Sequence, residues 1–576
     1  MVKARLLSAC AAMSLAGAAV LMGTSAAVAA PGEPIDFADA PFVIFAPAPP
    51  LPEAIADYPL PDGAEDYWDL FEPDAPWADA AEHIDAFAMH AWMLRYSSTD
   101  EELRRMFAWL DEHDILFGLE VEPLTWPGPD VCDHTESFEG PYDLEEARRI
   151  RALGGRIDFL SLDEPYSHAH AFEGAGACRY SVEQVVDETW DFVRKVRGLH
   201  PGVQVGTIEP IVSDPVLTNR DFETWLDTWE ERTGEPFAFL DIDVDWRQED
   251  WPERVLGAEA VADARGVPFG MLYLGSEFAR ENDDWLQQLA QHAATFEQEH
   301  GGTPDLVGLY SWHHQPDRLL PDDDLDAFSG RINQYFGART QLEEIVVGPK
   351  AARGRLTTTD GQPLSGQPLE VTAEPLDGAR LRHKLSGTVP RSARRALVAV
   401  RANIEGGNPS PVDVRISDIV YREAGAGRNQ APNARFAKGL DQWGPYGTGD
   451  VTVVGGKDGR AMHLKAKPRQ HILVDGESFK VTPGADFEFA ATIDVAGKSL
   501  DSGYLSIIFL GQAEVARENL WFTTRPIELP TVTTDDDGRY RIPTRKLASG
   551  RYDLGVTYPG DLEHWVASTS TRIRVD

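Results

Sequence analysis

The sequence predicts a (β/α)8 barrel over its first half followed by all-β sandwich modules, and three observations carry that prediction. Between residues 40 and 340, eight short apolar runs alternate with amphipathic stretches of helical length. Pro47, Pro49 and Pro50 follow the first run where a doubly wound open sheet would place a Gly-rich phosphate loop. After Gly337 long helices give way to short alternating runs separated by Gly, Pro, Asn and Asp. A chain of 576 residues exceeds one ordinary core, so a multidomain arrangement is expected.

The N-terminus reads as an address. Lys3 and Arg5 precede an apolar stretch from Leu6 to Met22, and Ala27-Val28-Ala29 closes it, which predicts a signal peptide over 1–29 and a secreted protein. No later stretch reaches the roughly 20 apolar residues of a membrane span. Lys and Arg total 53 against 94 Asp and Glu, a net charge of -41, so nucleic acid and anionic membranes are poor partners and a neutral or cationic one fits better. Cleavage removes Cys10 and leaves Cys132 and Cys178. In an oxidising compartment this pair predicts a disulfide, with two buried free thiols as the alternative.

The eight strand candidates are 41–50, 84–90, 115–123, 157–165, 203–210, 237–246, 267–277 and 306–314, apolar enough to be buried on both faces of a parallel sheet. Helix signals lie between them. Thr99 with Glu102, Asp143 with Glu146 and Ser181 with Gln184 read as helix openings, and Gly154 and Gly198 as stops for the latter two. The stretches 285–296 and 323–336 supply helices on either side of the eighth strand. Together these units form the barrel domain over 30–340.

A barrel places its chemistry at the C-terminal ends of its strands. There the sequence is rich in carboxylates: Glu120 and Glu122 on strand three, Asp163 and Glu164 on four, Glu209 on five, Asp243 and Asp245 on six, and Glu277 on seven. Any one of these acids could simply cap the helix that follows. Strand parity argues for more. Ile242, Val244 and Trp246 alternate with Asp241, Asp243 and Asp245, and the outer face must be apolar to receive helices, so the aspartates point inward. Converging carboxylates raise one another's pKa, the condition under which a carboxyl serves as a general acid.

Asp163-Glu164-Pro165 resembles the Asn-Glu-Pro of the large clan of retaining (β/α)8 glycoside hydrolases. The resemblance covers the barrel, about half the chain. It implies Glu164 as acid/base, Glu277 as nucleophile and Trp312 as the floor of a sugar subsite. Asp163 stands in place of Asn, and His90 ends strand two where the clan has Arg. Tyr166, Trp126, Trp246, Tyr273 and His313 are expected near the mouth as substrate-binding groups beside Asp163, His90, Glu122, Glu209, Asp243 and Asp245, with wall packing as the alternative for Trp246 and Tyr273. If Glu277 points away, Asp243 or Asp245 becomes the base. His134, His168, His170, His313 and His314 do not form the His-x-His ending strand one of metal-dependent amidohydrolases, and no cofactor or metal is assigned.

In the C-terminal half, segments 341–376 and 519–576 resemble the opening and closing strands of a bacterial immunoglobulin-like module. The stretch 377–518 between them resembles a carbohydrate-binding jelly roll, circularly permuted, with Trp443, Tyr446 and Trp521 as sugar platforms or core residues. The reading that follows is a secreted glycoside hydrolase acting on a polysaccharide or oligosaccharide. Its alternatives are a non-catalytic carbohydrate-binding protein with a degenerate barrel, and a metal-dependent barrel using Asp243, Asp245, Glu209 and Glu122 as oxygen ligands.

Overall fold

The computed structural model describes residues 35–575 except 39–40, 51–62, 133–135, 175, 213, 249, 277–278, 280, 313–314, 349, 377, 403–410, 426–427, 457–458, 468–469, 497–499, 512–513, 523–525, 545–546 and 548–549. The expected signal peptide at 1–29 lies outside the described residues.

The strands β1 (Phe42–Ala46), β2 (Ala86–His90), β3 (Leu116–Val121), β4 (Phe159–Asp163), β5 (Gln204–Ile211), β6 (Leu240–Val244), β7 (Phe269–Tyr273) and β8 (Leu306–Tyr310) pair in sequence order. β8 returns to β1 in parallel register, Phe42 opposite Leu306 through Ala46 opposite Tyr310, and closes the barrel. Seven of the strands fall within the apolar runs, and β5 ends one residue beyond its run, at Ile211.

Helix openings at Thr99 and Ser181 are capping boxes, with Glu102 and Gln184 answering at N3. The third expected opening differs. That helix runs Gly140–Ala152, and Asp143 lies inside it, fully buried, because its carboxylate accepts from Arg95 Nη2 at 2.7 Å and from the Glu122 backbone N–H at 2.8 Å. Gly198 also fails to stop its helix, which continues to Leu199.

The barrel is asymmetric along its axis. Phe37 closes the N-terminal end by edge contacts to Phe42, Phe159 and Phe239, with centroids 4.9, 5.7 and 4.9 Å away. The inward positions at the other end carry carboxylates. Burying them is costly unless they are protonated or partnered, so most of the barrel's unfavourable electrostatics lies at the mouth, with Asp241 of β6 the buried acid below it.

The C-terminal half is antiparallel sheet. One apolar core gathers Ile345 to Ala373 with Tyr540 to Ile573, and a second gathers Val389 to Phe522, so the middle of this half folds between two parts of the other core. Trp565 joins the barrel core, where its Nε1 donates to the Tyr335 carbonyl at 2.6 Å. Among the described residues, no helix is long and apolar enough to cross a membrane.

Candidate active site

A cavity of about 460 Å³ opens at the C-terminal mouth of the barrel. His90, Glu122, Asp163, Glu164, Asp243 and Trp312, all expected at the site, line it. Glu120, Glu136, Glu139, Trp92 and Tyr310 line it as well.

Consecutive residues of a strand face opposite ways, yet Asp163 and Glu164 both reach the cavity. The backbone resolves this by leaving β4 at Glu164, whose φ is +50°. Left-handed geometry is uncommon for a residue with a Cβ. The Glu164 N–H donates to the Ile208 carbonyl at 3.1 Å, and a single π turn, Ser167–Ala171, follows. Such turns recur at functional sites. Here the turn delivers His168, whose Nε2 lies 2.6 Å from Glu164 Oε2 and 3.5 Å from Glu136 Oε1.

Burial pushes the Glu164 carboxyl well above its ordinary value, and the charges of Asp163, Asp243, Glu136 and Glu120 push the same way. Glu120 and Glu122 are raised to about 8, chiefly by burial, with His90 working against the shift in both. Burial and the charge of Asp163 raise Asp243 to about 7. Beneath the cavity Asp241 is 1% exposed with neither carboxyl oxygen hydrogen-bonded, and burial raises it to about 8. A side chain on Gly270, its neighbour across β7, would meet Asp241 Oδ1 at 1.6 Å, so only glycine leaves this aspartate room.

His90 caps the helix Ala91–Ser97, its Nδ1 accepting from the Trp92 N–H at 3.0 Å. Its Nε2 is 3.5 Å from Asp163 Oδ2 and 4.0 Å from Glu122 Oε1. Burial disfavours the charged ring, but Asp163 and the fields of Glu120 and Glu122 outweigh it and raise the pKa to about 10. The Trp92 N–H opposes this, because protonating Nδ1 would turn the acceptor into a donor. In either state the Nε2 proton remains and faces Asp163.

That proton bears on metal binding. His90, Glu120 and Asp163 place one potential ligand atom each within 4.8 Å of one another. With Nδ1 occupied as an acceptor, however, Nε2 has no lone pair to offer. The oxygen-ligand set expected from sequence does not converge either. Asp245 is held by Arg247 Nε at 2.6 Å and Gln248 Nε2 at 2.8 Å. Glu209 accepts from the Tyr166 and Ser167 N–H groups at 3.0 Å each, capping the turn after β4.

Other expected mouth residues take structural positions outside the cavity lining. Tyr166 is buried, with its hydroxyl donating to Asp221 at 3.1 Å. Tyr273 is buried in the wall and donates to Glu297 at 3.0 Å, and Trp246 stacks on His292 with centroids 3.9 Å apart. Trp126 is 41% exposed on the loop after β3, where its Nε1 donates to the Cys132 carbonyl at 3.1 Å. Cys132 and Cys178 form the expected disulfide, which ties that loop to the segment after β4. Glu277 and His313, with His134 and His314, lie outside the described residues.

Glu136 and Glu139 were missed by strand-end reasoning because they sit deep in the loop after β3. The four-residue spacing of Glu164 and His168 was the one local signal for their pairing.

The sequence matches no family model and no curated protein. Among solved structures it is similar to a GH10 endoxylanase retrieved from sugarcane soil metagenome, at 10% identity over 48% of this chain and 86% of that one, TM-score 0.28. The catalytic core of xylanase A matches at 11% identity over 48% and 88%, TM-score 0.29. A D-psicose 3-epimerase crystallised in the presence of D-fructose matches at 10% identity over 40% and 75%, TM-score 0.23. Each match reaches less than half of this chain.

Proposed function

We propose that the protein is a secreted glycoside hydrolase that cleaves a polysaccharide or glycoside with two carboxyl groups, Glu164 acting as the acid/base. The observation that carries this reading is a buried carboxyl on the wall of an open cavity at the barrel mouth, its pKa pushed upward by burial and by the neighbouring acids. An upward shift suits a carboxyl to one use, delivery of a proton to a leaving oxygen. Trp92 and Trp312 offer apolar faces for sugar C–H groups, and the neighbouring acids offer acceptors for hydroxyls.

The reaction needs a second carboxylate on the other side of the bond. In the retaining form this is Glu277, which forms a glycosyl ester as Glu164 protonates the departing oxygen; Glu164 then takes a proton from the water that opens the ester. The segment 377–518 would hold the polymer as a carbohydrate-binding module, and 341–376 with 519–576 would serve as an immunoglobulin-like spacer.

The test is a panel of aryl and natural glycosides with the full chain and Glu277→Gly. Turnover by the native protein, its loss in the variant and its rescue by azide support the retaining assignment. Turnover that survives Glu277→Gly removes Glu277 as nucleophile. No turnover on any substrate, with binding intact, favours the non-catalytic carbohydrate-binding reading.

A further inference from the structure

The cavity wall has an unusual charge composition. Glu120, Glu122, Glu136, Asp163, Glu164 and Asp243 line it together with Glu139, and none of the described lining residues is Lys or Arg. Among the described lining residues His90 alone is able to carry positive charge, and it is committed to Asp163 and Glu122. Two glycosidic carboxyls would suffice for hydrolysis, so this surplus calls for another cause.

Two acids in particular lack a partner. No hydrogen bond or ion pair holds the Glu120 side chain among the described residues, although it faces the cavity, where the field of His90 works against those of Asp163, Asp243 and Asp241. Behind it Asp241, 1% exposed and turned into the barrel from the same face of β6 as Asp243, has both oxygens unsatisfied. Buried polar atoms without partners are rare in native proteins and call for an explanation. Gly270 leaves room for this aspartate, since a Cβ there would meet Asp241 Oδ1 at 1.6 Å.

A hydroxyl-only sugar gives these acids neutral donors and leaves uncompensated the burial and mutual repulsion that favour their protonated forms, whereas a cation among them would favour the carboxylates. A uronic, sulfated or phosphorylated sugar would add to that repulsion. An ammonium supplies three donors and one positive charge at a single atom, and charge-assisted hydrogen bonds to carboxylate are about twice as strong as neutral ones. Trp92 and Trp312 on the same wall are also suited to a cation, whose attraction to an aromatic face adds to carboxylate contacts.

We propose that the sugar accommodated in this cavity carries a free amino group, with its ammonium seated against Glu120 and Asp243 and Asp241 adding to the field from beneath. This rests on the glycosidase reading and names its substrate class: amino sugars in their non-acetylated, cationic form.

The experiment is calorimetric binding to full-length protein of glucosamine and galactosamine, as monosaccharides and short oligomers, against their N-acetylated and hydroxyl counterparts at 50 and 500 mM salt. The expected result is at least about tenfold tighter binding of the amino forms at low salt, weakening as salt rises. In Glu120→Gln and Asp243→Asn, both checked for folding by thermal unfolding, that preference should fall below about threefold. Equal or weaker binding of the amino forms overturns the proposal. So does a preference that survives both substitutions. Hydrolysis of neutral substrates without an amino preference sinks the proposal and leaves the glycosidase reading standing. Selective amino-sugar binding without any hydrolysis does the reverse, and neither binding nor hydrolysis overturns both.

Discussion

His90 Nε2 stands 3.5 Å from Asp163 Oδ2 while its other ring nitrogen accepts the Trp92 N–H at 3.0 Å. One histidine thereby caps a helix and directs a proton at a cavity carboxylate. His90→Asn is expected to keep part of the cap, since Asn is a good N-cap, and to lose the Asp163 contact. Activity should fall at least about tenfold with a change in melting temperature of only a few degrees. A variant of native activity would leave His90 as a cap alone.

The acids at and beneath the mouth tie stability to pH. Glu120, Glu122 and Asp241, raised to about 8, and Asp243, raised to about 7, hold protons that the unfolded chain releases near its ordinary carboxylate range. Their contribution is fully present below about pH 4 and is lost as pH rises through 7 to 8. The melting temperature is therefore expected to fall between pH 5 and pH 9. Asp241→Asn should flatten that slope by stabilising the protein at pH 9 and changing little at pH 5. A slope unchanged in the variant would mean that Asp241 finds a partner in solution.

Gly270 and Asp241 form a testable steric pair. In Gly270→Ala the new methyl would fall 1.6 Å from Asp241 Oδ1 and 3.0 Å from Leu306 Cβ. Overpacking of this kind costs about 1–3 kcal/mol. The double variant Gly270→Ala/Asp241→Ala should recover most of that loss relative to Asp241→Ala. Additive effects in denaturant unfolding would contradict the close approach.

Removing the Cys132–Cys178 bond should act on both stability and site. The bond closes a loop of sequence separation 46, for which chain entropy gives about 4 kcal/mol. It also tethers the loop carrying Glu136 and Glu139, both on the cavity wall. Cys132→Ser/Cys178→Ser is expected to melt earlier and to turn over more slowly, with a circular dichroism spectrum near that of the native protein.

Much of the barrel was legible because its physics is periodic. Apolar runs buried on both faces announce parallel strands, and alternation on β6 placed Asp241 and Asp243 inside. The same parity linked Glu120 and Glu122. Other features depend on contacts that no local pattern encodes. Arg95, far along the chain, pulls Asp143 out of a capping role. The left-handed turn at Glu164 brings two consecutive acids to one cavity, against strand parity. Tyr273 and Trp246 look like mouth aromatics at strand ends, yet Glu297 and His292 on the neighbouring helical segment draw them into the wall.

The central claim is that Glu164 delivers the proton, and it is tested most directly by comparing Glu164→Gln with the native protein across leaving groups. The account expects kcat/KM to fall by at least about a hundredfold for alkyl or sugar leaving groups, and far less for an activated aryl glycoside that departs without a proton. An equal loss on both would contradict it and make Glu164 a structural partner of His168.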